Sequence, residues 1–265
     1  MKSFLAVVKN LVFPPRCGGC HTLLSPVAAG EDAVFCAECK KEWHAELCLQ
    51  CPDCYLAYPD CRCQPSVLQR AGSKGLLKLA PYGDTARERV VRRIVLDMKS
   101  GACRRVTATV AKELAASLHE ELFKLKWEKE RIVVAHLPRD ARNVRRHGID
   151  QAKALAHALA RESGLSYASL LHRKARAKAQ KKLSAKERAE NLRDAFGVNE
   201  IPSGCCVVLV DDVVTTGASL AAAATALRKA GRPFSREHMK ECHRCQNPCQ
   251  SAVSTECHLI CNADP

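Results

Sequence analysis

Apolar residues in the middle of the chain follow two alternating patterns. Helical spacing extends over residues 84–98, 106–127, 151–161 and 218–230, whereas short apolar runs occupy residues 75–81, 132–135 and 207–210. Strands that are apolar throughout and alternate with helices are typical of a parallel sheet covered on both faces. The pattern therefore predicts an α/β domain built on a parallel sheet.

The cysteines divide the chain into three parts. Of seventeen cysteines, nine lie between Cys17 and Cys63 and five between Cys242 and Cys261. We predict a cysteine-rich zinc-ribbon module over residues 1–66, the α/β domain over residues 67–231, and an atypical tail over residues 232–265. Because the tail has almost no apolar periodicity, the sequence favours disorder there, with a further zinc site at its cysteines as the alternative.

The spacing of the first cysteines indicates bound metal. Two CxxC pairs separated by a fifteen-residue loop match a zinc ribbon, and a CxxC pair followed by a CxC pair offers a second set of four sulfurs, with Cys48 as a spare ligand. Four thiolates close the coordination shell, so we expect one or two structural zinc ions and no zinc catalysis. The expected ligands are Cys17, Cys20, Cys36, Cys39, Cys51, Cys54, Cys61 and Cys63.

The N-terminus does not resemble an export signal. Lys9 interrupts the first apolar stretch, and no run of eighteen apolar residues occurs anywhere in the chain. The sequence therefore predicts a cytoplasmic protein with no membrane span, in which paired cysteines are more often metal ligands than disulfides.

The positive charge is concentrated in one segment. The net charge is +14, and residues 139–193 hold fifteen Lys and Arg against five Asp and Glu. Such a segment predicts a polyanionic partner, single-stranded DNA in the first place, with a merely solvated basic face as the alternative. The candidates for nucleic-acid contact lie in a loop and are Arg173, Lys174, Arg176, Lys178, Lys181 and Lys182.

The most informative segment is residues 207–219. An apolar strand ends in two carboxylates, and a small, hydroxyl-rich turn then opens a helix. Backbone N–H groups at a helix N-terminus can hold a phosphate, a glycine lets the backbone approach it, and paired carboxylates can accept hydrogen bonds from ribose hydroxyls or hold Mg²⁺ through water. The alternative is a buried strand followed by an ordinary capped helix. The phosphate-site candidates are Asp211, Asp212, Thr215, Thr216, Gly217, Ala218 and Ser219.

This segment resembles the phosphoribosyl pyrophosphate (PRPP) motif of type I phosphoribosyltransferases. Further segments also match a known pattern: Ala80-Pro-Tyr82, Met98-Lys-Ser-Gly101, Leu137-Pro138, residues 145–151, and Gln180, Leu183-Ser184, Arg188, Asn191 and Phe196. At these residues the chain resembles the ComF family of bacterial competence proteins, also called ComF/GntX, which joins a zinc ribbon to a phosphoribosyltransferase-like domain. Asp150 departs from the family pattern, which has Asn there.

Three functions follow as hypotheses, and one of them is a zinc-stabilised protein-interaction module with a degenerate phosphate site. The resemblance implies a role in DNA uptake, with PRPP or a nucleotide at the phosphate site, single-stranded DNA on the basic segment, and a competence helicase or uptake protein as partner. The alternative is an active phosphoribosyltransferase, which would use Mg²⁺ with PRPP and place cations on the leaving pyrophosphate; its catalytic residues and acceptor base are not indicated. The cation candidates are Arg139, Arg142 and Arg145.

Overall fold

The structure, a computed structural model, describes residues 14–24, 34–82, 89–100, 104–125, 128–174, 195–202, 204–230 and 257–263. The helices in these ranges are α1 (Ala37–Leu47), α2 (Ser66–Arg70), α3 (Arg89–Ser100), α4 (Arg104–Leu125), α5 (Ala141–His147), α6 (Gln151–Ser163) and α7 (Ala218–Ala230). The strands are β1 (Ser73–Leu77), β2 (Ile132–His136), β3 (Ser166–Tyr167), β4 (Leu171–Arg173), β5 (Phe196–Val198), β6 (Cys206–Val214) and β7 (Cys257–Ala263).

Five strands form the central sheet in the order β1-β7-β6-β2-β3, and all four pairings are parallel. Strands β4 and β5 form a separate antiparallel ribbon. Helices connect parallel strands, as the geometry of such pairings requires. The predicted α/β fold with a parallel sheet is therefore confirmed.

Strand β2 shows why the sheet is covered on both faces. All five of its residues are buried. Ile132 and Val134 pack with α3, α4 and α6 on one face, whereas Val133 and Ala135 pack with α2 and α7 on the other. An apolar run without alternation is thus explained by two layers of helices.

Local sequence sets the ends of α6. The Asp150 side chain caps the first turn by accepting a hydrogen bond from the backbone N–H of Lys153 at 3.1 Å. At the other end, Gly164 adopts a left-handed conformation with φ of 67°, which glycine accommodates without steric cost. Local sequence therefore sets where α6 begins, and this first turn faces the carboxyl edge of the sheet.

The cysteine module shares a core with the α/β domain. Cys17, Cys39 and Trp43 are buried in the same apolar cluster as α3 and α4. The Arg93 guanidinium also donates a hydrogen bond to the carbonyl oxygen of Gly19 at 3.0 Å. Packing of this kind places the module firmly on the helices that cover one face of the sheet.

Two elements differ from the pattern-based expectations. Helix α5 lies in the basic segment after β2, where apolar periodicity gave no signal. Strand β7 comes from the tail for which the sequence favours disorder, yet it lies between β1 and β6 with parallel partners on both sides. The composition of this segment does not indicate a strand. Its hydrogen bonds to β1 and β6 form only in the folded protein, because strand pairing depends on tertiary structure. Residues 232–256, 264 and 265 lie outside the described residues.

Candidate functional site

The structure brings the predicted cysteines together in two sets of four. Within each set the Sγ atoms all lie within 4.8 Å of one another. We call them the first cysteine tetrad (Cys17, Cys20, Cys36 and Cys39) and the second cysteine tetrad (Cys51, Cys54, Cys61 and Cys63). Cys48 is exposed and belongs to neither tetrad.

The chemistry of both tetrads fits zinc. A tetrahedral zinc ion with sulfur ligands at about 2.3 Å sets the sulfur atoms about 3.8 Å apart, and the Sγ atoms of Cys20 and Cys36 are 3.7 Å apart. Backbone N–H groups also point at the sulfur atoms, as in the hydrogen bond from Cys36 to the Sγ of Cys17 at 3.2 Å. Such donors stabilise thiolates, so either tetrad could hold a structural zinc ion.

The cysteine thiols within each tetrad have shifted pKa values, because each sulfur affects the ionisation of its neighbours. Burial raises the pKa of Cys20, but hydrogen bonds from Thr22 and neighbouring cysteines outweigh it and lower the pKa to about 6. Burial likewise opposes ionisation of Cys51, whose pKa the N–H groups of Asp53 and Cys54 lower to about 7. Burial and neighbouring sulfurs raise the pKa of Cys63 to about 12. Four crowded sulfurs thus ionise together only with a cation among them.

The two tetrads share a backbone geometry that points to an internal duplication. The residue after the second cysteine of the leading CxxC pair adopts a left-handed conformation in both, with φ of 60° at His21 and 59° at Tyr55. Each turn is closed by an isolated antiparallel bridge, Arg16 to Leu23 in the first and Gln50 to Ala57 in the second. The backbone of the first cysteine turn is thus repeated in the second.

Strand β1 connects the second cysteine tetrad to the sheet. Lys78 is buried and donates a hydrogen bond to the carbonyl oxygen of Cys63 at 2.6 Å. A cavity of about 210 Å³ lies beside this contact and extends to Val214 and Thr215. The second tetrad therefore lies next to the turn that follows β6.

The two predicted carboxylates lie near the carboxyl end of β6. The backbone N–H of Asp212 donates to an oxygen of Asp211 at 2.9 Å, and that of Val213 donates to Oδ1 of Asp212 at 3.0 Å. The parallel register between β6 and β7 shifts between Val210 and Val213, so the ladder is irregular where the carboxylates lie. This edge is where open α/β sheets bind ligands.

Two cations face Asp212. The Arg139 guanidinium donates to Oδ2 of Asp212 at 2.6 Å, and the Lys99 ammonium lies 4.0 Å from the same oxygen. Lys99 lies near the end of α3, and Arg139 follows β2 by three residues. The structure thus joins one predicted cation candidate and one residue without a predicted role into an acidic–basic cluster.

The two carboxyl groups differ in their electrostatics. Burial raises the pKa of the Asp211 carboxyl well above its usual range, and the charge of Asp212 adds to this effect while Arg139 opposes it. The Arg139 guanidinium bonds Asp212 directly, so the two carboxyl groups lie in different electrostatic surroundings.

A turn of three residues, 215–217, connects β6 to α7. Thr215 and Thr216 are exposed, and Gly217 is buried with φ of 73°. A Cβ atom at Gly217 would lie 3.0 Å from the Leu68 side chain, so only glycine allows this turn to pack against α2. Helix α7 then begins at Ala218, with Ser219 in its first turn.

The remaining basic candidates are spread over three places. Arg142 and Arg145 are exposed on α5, whereas the cations that contact Asp212 are Arg139 and Lys99. Arg173 lies over the Phe196 ring at 5.3 Å in the antiparallel ribbon, and the N–H of Lys174 bonds the carbonyl oxygen of Ala195. The other four, Arg176, Lys178, Lys181 and Lys182, lie outside the described residues.

A buried polar group lies beside the acidic–basic cluster. His136 ends β2, and its Nδ1 is 2.9 Å from the Tyr167 hydroxyl oxygen and its Nε2 is 4.0 Å from Oδ2 of Asp150. Burial lowers the pKa of His136, Lys153 and His157 lower it further, and Asp150 raises it. No sequence motif indicated this group, because its members come from three separate elements.

We expect the stability of the protein to fall as the pH drops below about 6.5, where histidine of an unfolded chain takes up a proton. The folded state resists that proton because burial lowers the pKa of His136, so acid favours the unfolded state. One such histidine contributes a slope of at most about 1.4 kcal/mol per pH unit. Urea unfolding at pH 7.5 and 5.5, at constant zinc, measures it.

The exposed His157 provides the matched control. His136→Gln should remove most of the slope between the two pH values. His157→Gln should leave most of it, because burial also lowers the pKa of His157 but that side chain is exposed and His136 is not. An unchanged slope in His136→Gln would assign the acid sensitivity to other groups.

Fold and site together define a class of protein: an α/β protein with a parallel sheet, a pair of cysteine tetrads that could hold zinc, and an acidic–basic cluster at the carboxyl edge of the sheet. Among the helices in the described ranges, not one is long and apolar enough to span a bilayer.

Comparison with known proteins narrows this class. No family model matches the chain. It is 27% identical over 217 residues to the DNA utilization protein YhgH of Salmonella typhimurium, an alignment that covers 81% of this chain and 92% of the relative. It is also 38% identical over 91 residues to the Competence protein F of Haemophilus influenzae, covering 32% of this chain and 39% of that protein.

A further alignment, 36% identical over 99 residues, relates 37% of the chain to 44% of the DNA utilization protein YhgH of Salmonella typhi. The predicted resemblance to the ComF family of competence proteins is thereby confirmed.

Proposed function

We propose that this protein acts in DNA uptake or utilisation, with a PRPP-type ligand at residues 211–219 and single-stranded DNA on its basic segment. The names of its relatives support the general role, since both refer to competence or to the use of DNA. The uptake machinery, including a helicase that acts on the same strand, supplies the expected protein partners.

The acidic–basic cluster carries the proposal for the ligand. Asp211 and Asp212 offer acceptors for two adjacent ribose hydroxyls, and Arg139 and Lys99 offer positive charge beside them. Helix α7 begins at Ala218, after the turn that follows the two carboxylates. The backbone N–H groups at the N-terminus of a helix favour a bound phosphate. A pentose that carries both a phosphate and a diphosphate complements this order of groups, and Mg²⁺ bound with it would neutralise part of its charge.

The antiparallel ribbon supports the proposal for DNA. Strands β4 and β5 pair with each other and flank the segment 175–194 in sequence. Arg173 and Lys174 immediately precede this segment, and the N–H of Lys174 bonds the carbonyl oxygen of Ala195. Six basic residues in a stretch of eleven, without an acidic residue, provide charge for a phosphate backbone.

Phosphoribosyl transfer is the second candidate function, and one observation favours it. Arg139 and Lys99 face the carboxylate that would hold the ribose, and cations beside that ribose would stabilise a departing pyrophosphate. Release of pyrophosphate from PRPP in the presence of free bases would establish this activity.

Two titrations test the proposed function, one with PRPP·Mg²⁺ and one with a single-stranded oligonucleotide. We expect both to bind, and oligonucleotide affinity should fall with salt by about 0.7 log unit per log unit of salt for each phosphate contact. Replacing Arg176, Lys178 and Lys181 by alanine should lower that slope by about 2.

Alanine at Lys112, Lys124 and Lys129, which are exposed on other elements, is the matched control for lost charge. Equal slopes in both triple variants would assign DNA binding to the overall charge and not to the basic segment. Absence of oligonucleotide binding by the wild type at low salt would overturn the DNA part of the proposal.

A further inference from the structure

The first turn of α6 contacts both cations of the acidic–basic cluster. The Asp150 Oδ2 accepts a hydrogen bond from the backbone N–H of Arg139 at 3.3 Å. The next residue, Gln151, donates from its side-chain amide to the carbonyl oxygen of Lys99 at 3.0 Å. Two consecutive side chains therefore hold the backbones of the two residues whose charges face Asp212.

The two oxygens of Asp150 have separate tasks. Oδ1 caps α6 by accepting from the N–H of Lys153, whereas Oδ2 faces Arg139. Oδ2 also faces the Nε2 of His136 at 4.0 Å, and the Tyr167 hydroxyl contacts the other nitrogen of that ring. The carboxylate is thus constrained on the side of the sheet as well as on the side of Arg139.

Gln151 is anchored through the nitrogen of its side-chain amide. It is 1% exposed, and its contact with Lys99 bridges α6 to the end of α3. Arg139 and Lys99 are forty residues apart in sequence, and their common neighbours are Asp212 and this turn of α6. Because the backbones of Arg139 and Lys99 are held, their long side chains lose less conformational entropy when a ligand orders them.

We propose that Asp150 and Gln151 are positioning residues, which set the Arg139 and Lys99 side chains at the spacing that receives a diphosphate. This inference rests on the proposed function for the identity of the ligand. When a diphosphate enters, both cations can turn to it from Asp212, whose carboxylate is then free for a hydroxyl of the ligand. The turn itself makes no contact with the ligand.

Asp150→Ser separates positioning from helix capping. Serine caps helices as well as aspartate does, but its side chain carries a single oxygen and is too short to serve Arg139 at the same time. We expect affinity for Mg²⁺-pyrophosphate to fall about tenfold, the equivalent of one lost hydrogen bond to a charged group, with an unchanged unfolding midpoint. Gln151→Met should cause a similar loss through Lys99.

A second measurement needs no ligand. The backbone amide of Arg139 should exchange with solvent faster in Asp150→Ser than in the wild type, whereas the amide of Lys153 should stay protected because the cap remains. Asp140→Ser, which changes the cap of the neighbouring α5, is the matched control and should leave Arg139 unaffected.

The outcomes are distinct. Unchanged pyrophosphate affinity and unchanged Arg139 exchange in Asp150→Ser would overturn the inference, and a fall in affinity that only follows a lower unfolding midpoint would make Asp150 a structural residue. If the wild type binds neither pyrophosphate nor PRPP, the proposed function fails, and the exchange of Arg139 still decides whether Asp150 positions it.

Discussion

Replacing Cys39 by serine should unfold the first cysteine tetrad and take much of the protein's stability with it. Cys39 is 3% exposed and lies in the core cluster that joins the module to α3 and α4. Structural zinc supplies about 10 kcal/mol or more of apparent binding energy, and a lost ligand forfeits a large part of it. Zinc analysis and thermal unfolding measure the two consequences.

We expect two zinc equivalents in the wild type and one in Cys39→Ser. The exposed Cys48, which lies outside both tetrads, offers a matched control: Cys48→Ser should keep both ions and the wild-type unfolding temperature. Less than about half an equivalent in the wild type would contradict the zinc assignment as a whole.

The second large effect concerns the carboxylate pair. Asp211→Asn with Asp212→Asn should weaken PRPP binding by at least about a hundredfold, because each substitution replaces a carboxylate oxygen that can accept from a ribose hydroxyl by an amide NH2 that cannot. Stability should fall by only about 1–3 kcal/mol, since the Arg139 side chain is 22% exposed and can turn to solvent. Calorimetric titration with PRPP·Mg²⁺ and circular dichroism together distinguish the two effects.

Asp140→Asn is the matched control here, because asparagine caps α5 as aspartate does and leaves the acidic–basic cluster intact. Persistent PRPP binding in the double variant would place the ligand elsewhere. Loss of helix and strand signal would instead make the pair a structural element of the β6 edge.

Local signals predicted the parts of the fold that local chemistry determines. Helix α7 begins and ends where the apolar spacing predicts, at Ala218 and Ala230, because alanine-rich turns between a glycine and the end of the pattern form a helix in almost any context. The sulfur spacing was likewise sufficient to predict which cysteines form each of the two tetrads, since closely spaced cysteine pairs bring two sulfur atoms to one metal site.

The acidic–basic cluster was predictable only in part. The sequence marked Asp212 and Arg139 separately, but their ion pair joins residues 73 positions apart, and Lys99 received no role at all. His136 and Tyr167 meet through a parallel pairing between β2 and β3, which only the assembled sheet creates. Contacts between distant elements leave no periodic signal along the chain.

Strand β7 has a consequence for how the protein is made. Ser73 of β1 pairs with Cys257 of β7, 184 positions later, and β7 alone connects β1 to the rest of the described sheet. Parallel pairing over such a separation is entropically costly and slow. During synthesis, therefore, β1 lacks its sheet partner until the residues of β7 have emerged from the ribosome. The cysteine module and α4 can fold long before, which makes early zinc capture the natural first step and closure of the sheet the last.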